Sequence, residues 1–153
     1  MTTTTKPLGH VSVSVPVDAP VEDVWAAITD PGRQSKYMLA TTVRGTANGG
    51  HGVGGGIEAF TGFGRLGFLD TMVITAWEPP HRFEVDHVGS LKGTGRFEVA
   101  EAAGGGSVLS MIEDVVIPLG ALGRIGFAVT RPLISLGVKY SLRRLARDLA
   151  HPA

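Results

Sequence analysis

Residues 118–149 read PLGALGRIGFAVTRPLISLGVKYSLRRLARDL, an apolar stretch that turns basic toward its end. Ile134, Val138, Leu142, Leu145 and Leu149 recur at spacings of three and four, which stacks them on one side of a helix. Lys139, Arg143, Arg144 and Arg147 fall in the last turns, where positive charge opposes the negative end of the helix dipole. The spacing therefore predicts one long C-terminal helix ending near Ala150. Nearly everything before it reads as strand, and a twisted antiparallel sheet has one face that must be buried. No other predicted helix is long enough to cover that face. The fold class that follows is α+β, a sheet wrapped around one helix.

The remaining segments supply the sheet. Val11, Val13, Val15 and Val17 alternate with Ser12 and Ser14, the pattern of a half-buried strand over residues 10–17. Asp18 and Pro20 then open a short helix in which Val21, Val24, Trp25 and Ile28 repeat at helical spacing. Asp30-Pro31-Gly32 stops it, and a second short helical turn is expected from Ser35 to Met38. Six strands follow, at residues 39–46, 57–63, 70–77, 81–88, 92–100 and 107–117. Glycine- and proline-rich turns separate them, among them 48–56, Glu78-Pro79-Pro80 and Gly104-Gly105-Gly106.

At 153 residues the chain fits one domain, expected over residues 9–151 after a disordered tail at 1–8. That tail is a threonine run with no apolar core behind it, so no signal peptide is expected. The formal net charge is zero and the sequence pI is about 7.0, which gives no general attraction for nucleic acid. With no cysteine there is no disulfide framework, thiol nucleophile or thiolate zinc site, and a reducing cytoplasm is the expected location. Residues 117–138 are apolar enough to suggest a membrane span, but Arg124 or Arg131 near a bilayer centre would each cost about 2.5 to 3.5 kcal/mol. No transmembrane segment is expected.

The glycine-rich run 49–56 contains a loose G-x-G pattern, yet it leads into the extended Ile57-Glu58-Ala59-Phe60 and not into a helix. It reads as a hairpin turn or cavity-mouth loop, not a phosphate cradle. The five histidines show no metal-ligand spacing, so neither metal nor cofactor is expected. Two titratable residues are candidates for catalysis. His87 shares strand parity with Phe83 and Val85, where an imidazole could position a ligand hydroxyl or move a proton; the plainer reading is a histidine at a sheet edge. Glu113 shares parity with Leu109, Met111, Val115 and Ile117, where desolvation raises a carboxyl pKa unless Arg124 or Arg131 pairs with it. The plainer reading there is that Pro132 kinks the helix and turns both arginines to solvent. Gly93 and Gly95 share parity with Phe97, which leaves inward volume or marks a bend in a curled sheet.

Several stretches together resemble the START-like, or SRPBCC, superfamily of polyketide cyclases and dehydrases and lipid-transport domains. They are residues 13–25 (VSVPVDAPVEDVW), Thr29-Asp30-Pro31, Val53-Gly54, Trp77-Glu78-Pro79-Pro80-His81-Arg82 and the glycine turn into Ser107-Val108-Leu109. The resemblance implies a helix-grip fold: a seven-stranded antiparallel sheet curled around the long C-terminal helix, two short helices after the first strand, and an apolar cavity between sheet and helix. In that fold the side chains expected around the cavity are Tyr37, Ile57, Ala59, Phe83, Val85, His87, Gly95, Phe97, Met111, Glu113, Phe127, Arg131, Ile134 and Val138.

The function expected is binding, as carrier or sensor, of a hydrophobic small molecule such as a lipid, isoprenoid or aromatic polyketide. One alternative is a polyketide aromatase or cyclase using a cavity acid-base residue, and another is a protein-interaction module. A second apolar stripe on the long helix, Leu122, Ile125, Val129, Leu133, Leu136 and Tyr140, lies roughly opposite the first. One sheet cannot easily bury both, so a homodimer through this helix is the expected cover, with a membrane surface as the second choice.

Overall fold

The computed structural model describes residues 8–152. The tail expected over residues 1–8 lies outside them except for Leu8, which opens the first strand. The elements are β1 (Leu8–Val17), α1 (Val21–Ile28), α2 (Pro31–Tyr37), β2 (Thr41–Gly45), a 3-10 turn (Ala47–Gly50), β3 (Gly56–Phe63), β4 (Leu66–Glu78), β5 (Arg82–His87), β6 (Gly93–Glu101), β7 (Ser107–Val116) and α3 (Gly120–Ala150). Seven strands form one antiparallel sheet in the order β1-β7-β6-β5-β4-β3-β2. Local chemistry sets the corners. The Asp30 side chain accepts from the Gly32 and Arg33 amides and caps α2, whose first residue is Pro31, where a missing N–H costs nothing. The 48–56 run is the turn between β2 and β3, with Asn48, Gly49 and Gly50 all at positive φ. It holds one 3-10 turn that the glycine content hid.

Register defines the concave face. Val11 lies opposite Glu113, Glu113 opposite Gly95, Gly95 opposite Val85 and Val85 opposite Ile74. One row along, Val13, Met111, Phe97 and Phe83 align in the same way. A register shift between Ile74 and Ala76 then brings Trp77 opposite Phe83. Trp25 of α1 meets Trp77 edge-on at 5.1 Å, so α1 closes this aromatic end of the sheet.

α3 closes the same end with its second half only. Ser141, Leu142 and Leu145 are buried, and Ser141 Oγ accepts the Leu39 amide at 2.9 Å. Burial then falls along the inward line of the helix. Val138 is partly buried and Ile134, one turn earlier, is already 43% exposed. Pro132 does not split the segment: α3 is a single helix with Pro132 inside it. Proline removes one helical hydrogen bond, but Ala128 and Pro132 are both exposed, so the carbonyl left without a partner faces water. The outer stripe from Leu122 to Tyr140 is exposed throughout.

This uneven burial predicts uneven energetics along one helix. Leu142→Ala should lower unfolding free energy by about 2 to 5 kcal/mol, and Leu133→Ala by less than about 0.5 kcal/mol. Urea denaturation of the two variants checks this. Equal losses would mean that the first half of α3 is clamped on the sheet.

Candidate functional site

His87 does not lie at a sheet edge. β5 is the fourth of seven strands, and the imidazole is buried. Glu113 projects from β7, two strands away. Between them runs β6, whose residues at this level are Gly93, opposite His87, and Gly95, opposite Glu113. Neighbouring strands lie about 4.8 Å apart, so two side chains can meet across β6 only where β6 carries none. They do meet: His87 Nε2–H donates to Glu113 Oε2 at 2.9 Å. The glycines therefore do not leave empty volume, as parity suggested. A Cβ at position 95 would sit 2.7 Å from the Glu113 carboxylate, which fills that space, and one at 93 would strike the β7 backbone.

The other ring nitrogen is also taken. His87 Nδ1–H donates to Asp70 Oδ2 at 2.7 Å. Asp70 is a site residue that the sequence reading missed, although its signal was present: it shares parity with Met72 and Ile74 near the start of β4. The result is a chain, Asp70–His87–Glu113, in which both imidazole nitrogens donate to carboxylates. Burial alone would push the His87 pKa down, but the hydrogen bonds and charges of Asp70 and Glu113 outweigh it and raise it to about 9. For Glu113 burial pushes the pKa up, against the pull of the His87 hydrogen bond and charge. The protonated imidazole is thus the resting form, and burial leaves the Glu113 carboxyl easier to protonate than an ordinary glutamate. Arg124 and Arg131, weighed as partners for Glu113 against the plainer reading that both face solvent, are exposed.

The chain sits where the concave face becomes accessible. Toward α1 that face is packed by Val15, Leu109, Val99, Phe83 and Ile74. Toward the other end Ala59, Met72, Met111, Glu113 and Val115 are only partly covered, and Glu113 keeps 22% of its side chain exposed. Of the other residues expected around a cavity, Ile57, Phe83, Val85 and Phe97 are buried core on this face, and Tyr37 is buried in α2. Burial raises the Tyr37 phenol pKa, and its hydroxyl, like Asp70 Oδ1, has no hydrogen-bond partner among the described residues. Phe127 and Arg131 lie apart from the chain. Phe127 rests against Gly9 of β1, and Phe127 and Arg131 line an open groove of about 510 Å³ with His10, Ala128, Pro132 and Ser135. A second open groove, of about 610 Å³, lies at the far end of the sheet against His81, Arg82 and Val108.

A curled seven-stranded sheet gripping a C-terminal helix, with a polar cluster on its concave face, defines the helix-grip class. The chain belongs to the family described as polyketide cyclase / dehydrase and lipid transport, which matches residues 9–150. No curated protein matches the sequence. Among solved structures, protein CV1439 from Chromobacterium violaceum is 16% identical, with 94% of this chain and 99% of that one covered and a TM-score of 0.71. A Rhodobacter sphaeroides protein is 20% identical over 96% and 99%, with a TM-score of 0.72. The di-domain aromatase/cyclase BexL of the BE-7585A biosynthetic pathway is 20% identical, with a TM-score of 0.71; 99% of this chain corresponds to 52% of BexL. At these identities the likeness shows the shared fold.

The His87 shift has a sign that can be measured. A histidine whose folded pKa is raised contributes stability that is fully present below its unfolded value of about 6.5 and is lost as pH rises through about 9. Wild-type stability should therefore fall, by on the order of 3 kcal/mol, between these values. His87→Gln should show a flatter profile in the same window. Parallel profiles from denaturant melts would place His87 outside a charged pair.

Proposed function

We propose that the protein binds a hydrophobic small molecule carrying at least one oxygen function, in the cleft between the accessible end of the concave face and α3. The observation that carries this reading is the Glu113 carboxylate, held by His87 in an apolar surface yet left partly open. Charged groups are rarely kept in such surroundings without a partner or a task, and Asp70 and His87 supply the partner. The partly covered apolar side chains at that end of the sheet, Met72, Met111 and Val115, suit a lipid, an isoprenoid or an aromatic polyketide. Glu113 would take a hydrogen bond from a ligand hydroxyl or share a proton with a carbonyl. The family's lipid-transport members support the same class of ligand.

A second reading, an aromatase or cyclase, is favoured specifically by the relay of Asp70, His87 and Glu113. Glu113 would take a proton from a carbon between two carbonyls. The carbanion would attack a second carbonyl of the same chain, and the proton would return to the new alkoxide oxygen. Asp70 would hold the imidazolium in place, and the imidazolium charge would steady each protonation change on Glu113. The BexL likeness supports this reading at the level of fold. A protein-interaction role draws on the exposed apolar stripe of α3 and not on this cleft.

Native mass spectrometry of the purified protein should show an added hydrophobic mass. If the protein emerges empty and no lipid, isoprenoid or aromatic compound raises its melting temperature, the binding reading is wrong. Glu113→Gln separates the two readings. In a carrier it should change affinity only a few-fold and no reaction is affected. In a cyclase it should abolish turnover of a poly-keto chain while leaving affinity within a few-fold.

A further inference from the structure

Three connections leave the sheet at one end. The β5–β6 connection is fixed there by Val88 N–H donating to the Thr71 carbonyl, and the exit of β7 by Val116 N–H donating to the Lys92 carbonyl, each at 2.8 Å. β4 continues past the end of β5, whose last residue, His87, lies opposite Met72. The β3–β4 turn therefore projects from the same end from which β7 feeds α3. The segments at this end carry some of the most exposed apolar side chains in the molecule: Phe63 at 82% and Leu66 at 84% on the turn, and Leu122, Ile125 and Val129 on the first turns of α3, with Phe68 half-exposed after the turn.

The charge around them has one sign. Arg65 on the turn, Lys92 in the β5–β6 connection and Arg124 in the first turns of α3 are exposed on the same segments. Residues 59–69, 87–97 and 115–147 contain no aspartate or glutamate at all. The flanking acids are mostly engaged elsewhere. Glu58 pairs with Arg44, Asp70 with His87, Glu98 with Arg96 and Asp114 with His10, which leaves the exposed Asp86, and Asp148 at the far end of α3.

We propose that this end of the molecule docks on the surface of a bilayer containing anionic lipid. Phenylalanine and leucine enter the boundary between headgroups and acyl chains, and the three cations meet lipid phosphates. A second copy of the chain is a poorer fit, because an isologous contact would bring like charges together with no carboxylate to answer them. Spanning is also a poorer fit. α3 is apolar enough by length and composition to cross a membrane, but Leu142 and Leu145 hold its second half in the core. The docked end is the one at which the concave face is accessible, so a ligand would pass between cleft and lipid without crossing water. The docking itself does not depend on what the cleft holds.

Vesicle flotation tests the proposal with the full chain. The protein should float with vesicles of phosphatidylcholine mixed with phosphatidylglycerol, fail to float with phosphatidylcholine alone, and be released by high salt. The double variants Phe63→Asp/Leu66→Asp and Arg65→Glu/Arg124→Glu should each weaken partition about tenfold or more. Their melting temperatures should match wild type, since all four side chains are exposed. Absence of flotation with either vesicle, or equal binding to both, would overturn the proposal. So would a dimer in light scattering that Leu122→Asp dissolves, because the surface would then belong to a second copy.

Discussion

β6 presents no side chain to the concave face at Gly93 and Gly95, and the polar chemistry of the sheet depends on that bare strip. Two strands of separation would otherwise keep the β5 imidazole from the β7 carboxylate. With the strip bare, Glu113 lies flat over Gly95 and reaches His87. Asp70 secures the far side of the ring from β4. The three groups are interdependent: removing one partner of a buried charged pair typically costs about 3 to 5 kcal/mol, because the other is left uncompensated. Buried ion pairs seldom improve on a packed apolar core, so the sheet's stability is not a sufficient reason for this chain to exist. Its position at the edge of the accessible surface, with one carboxylate partly open, points to a ligand.

α3 explains why the surface is accessible there. One helix would cover the whole concave face if its inward line were buried along its length. Instead Leu142 and Leu145 seal the aromatic end, while Ile134 is 43% exposed and, before it, Phe127 meets the sheet at Gly9 of β1. Pro132 sits just before Ile134, in a stretch exposed to water on both sides, so the helix carries it without breaking. The packed end holds the buried core, and the loosely covered end carries the candidate site.

Much of the fold was legible in the sequence because its signals were local and periodic. The valine alternation of β1, the capped breaks around Asp30 and the three-and-four spacing from Val138 to Leu149 each specify an element by itself. The candidate site was legible only in pieces. Parity marked His87 and Glu113 separately, but their contact depends on β5, β6 and β7 being neighbours in that order and on the register of two glycines, neither of which one strand's pattern contains. Asp70 was overlooked because the strand expected over residues 70–77 opened on it, whereas β4 begins four residues earlier at Leu66. Arg124 and Arg131 were weighed as partners for Glu113 from the helix projection alone, with solvent-facing arginines as the plainer reading. Both are exposed, and the counter-charge comes from within the sheet.

The central claim, that a bare strand lets Glu113 and His87 share a proton, is tested most directly by NMR titration of the His87 imidazole in wild type and in Gly95→Ala. The added methyl carbon would fall 2.7 Å from the carboxylate and push its flexible side chain off the ring. The account predicts an imidazolium that persists to about pH 9 in the wild type and titrates about one unit lower or more in the variant, with the fold intact. A wild-type His87 already neutral at pH 7, or a titration unchanged by the alanine, would contradict it.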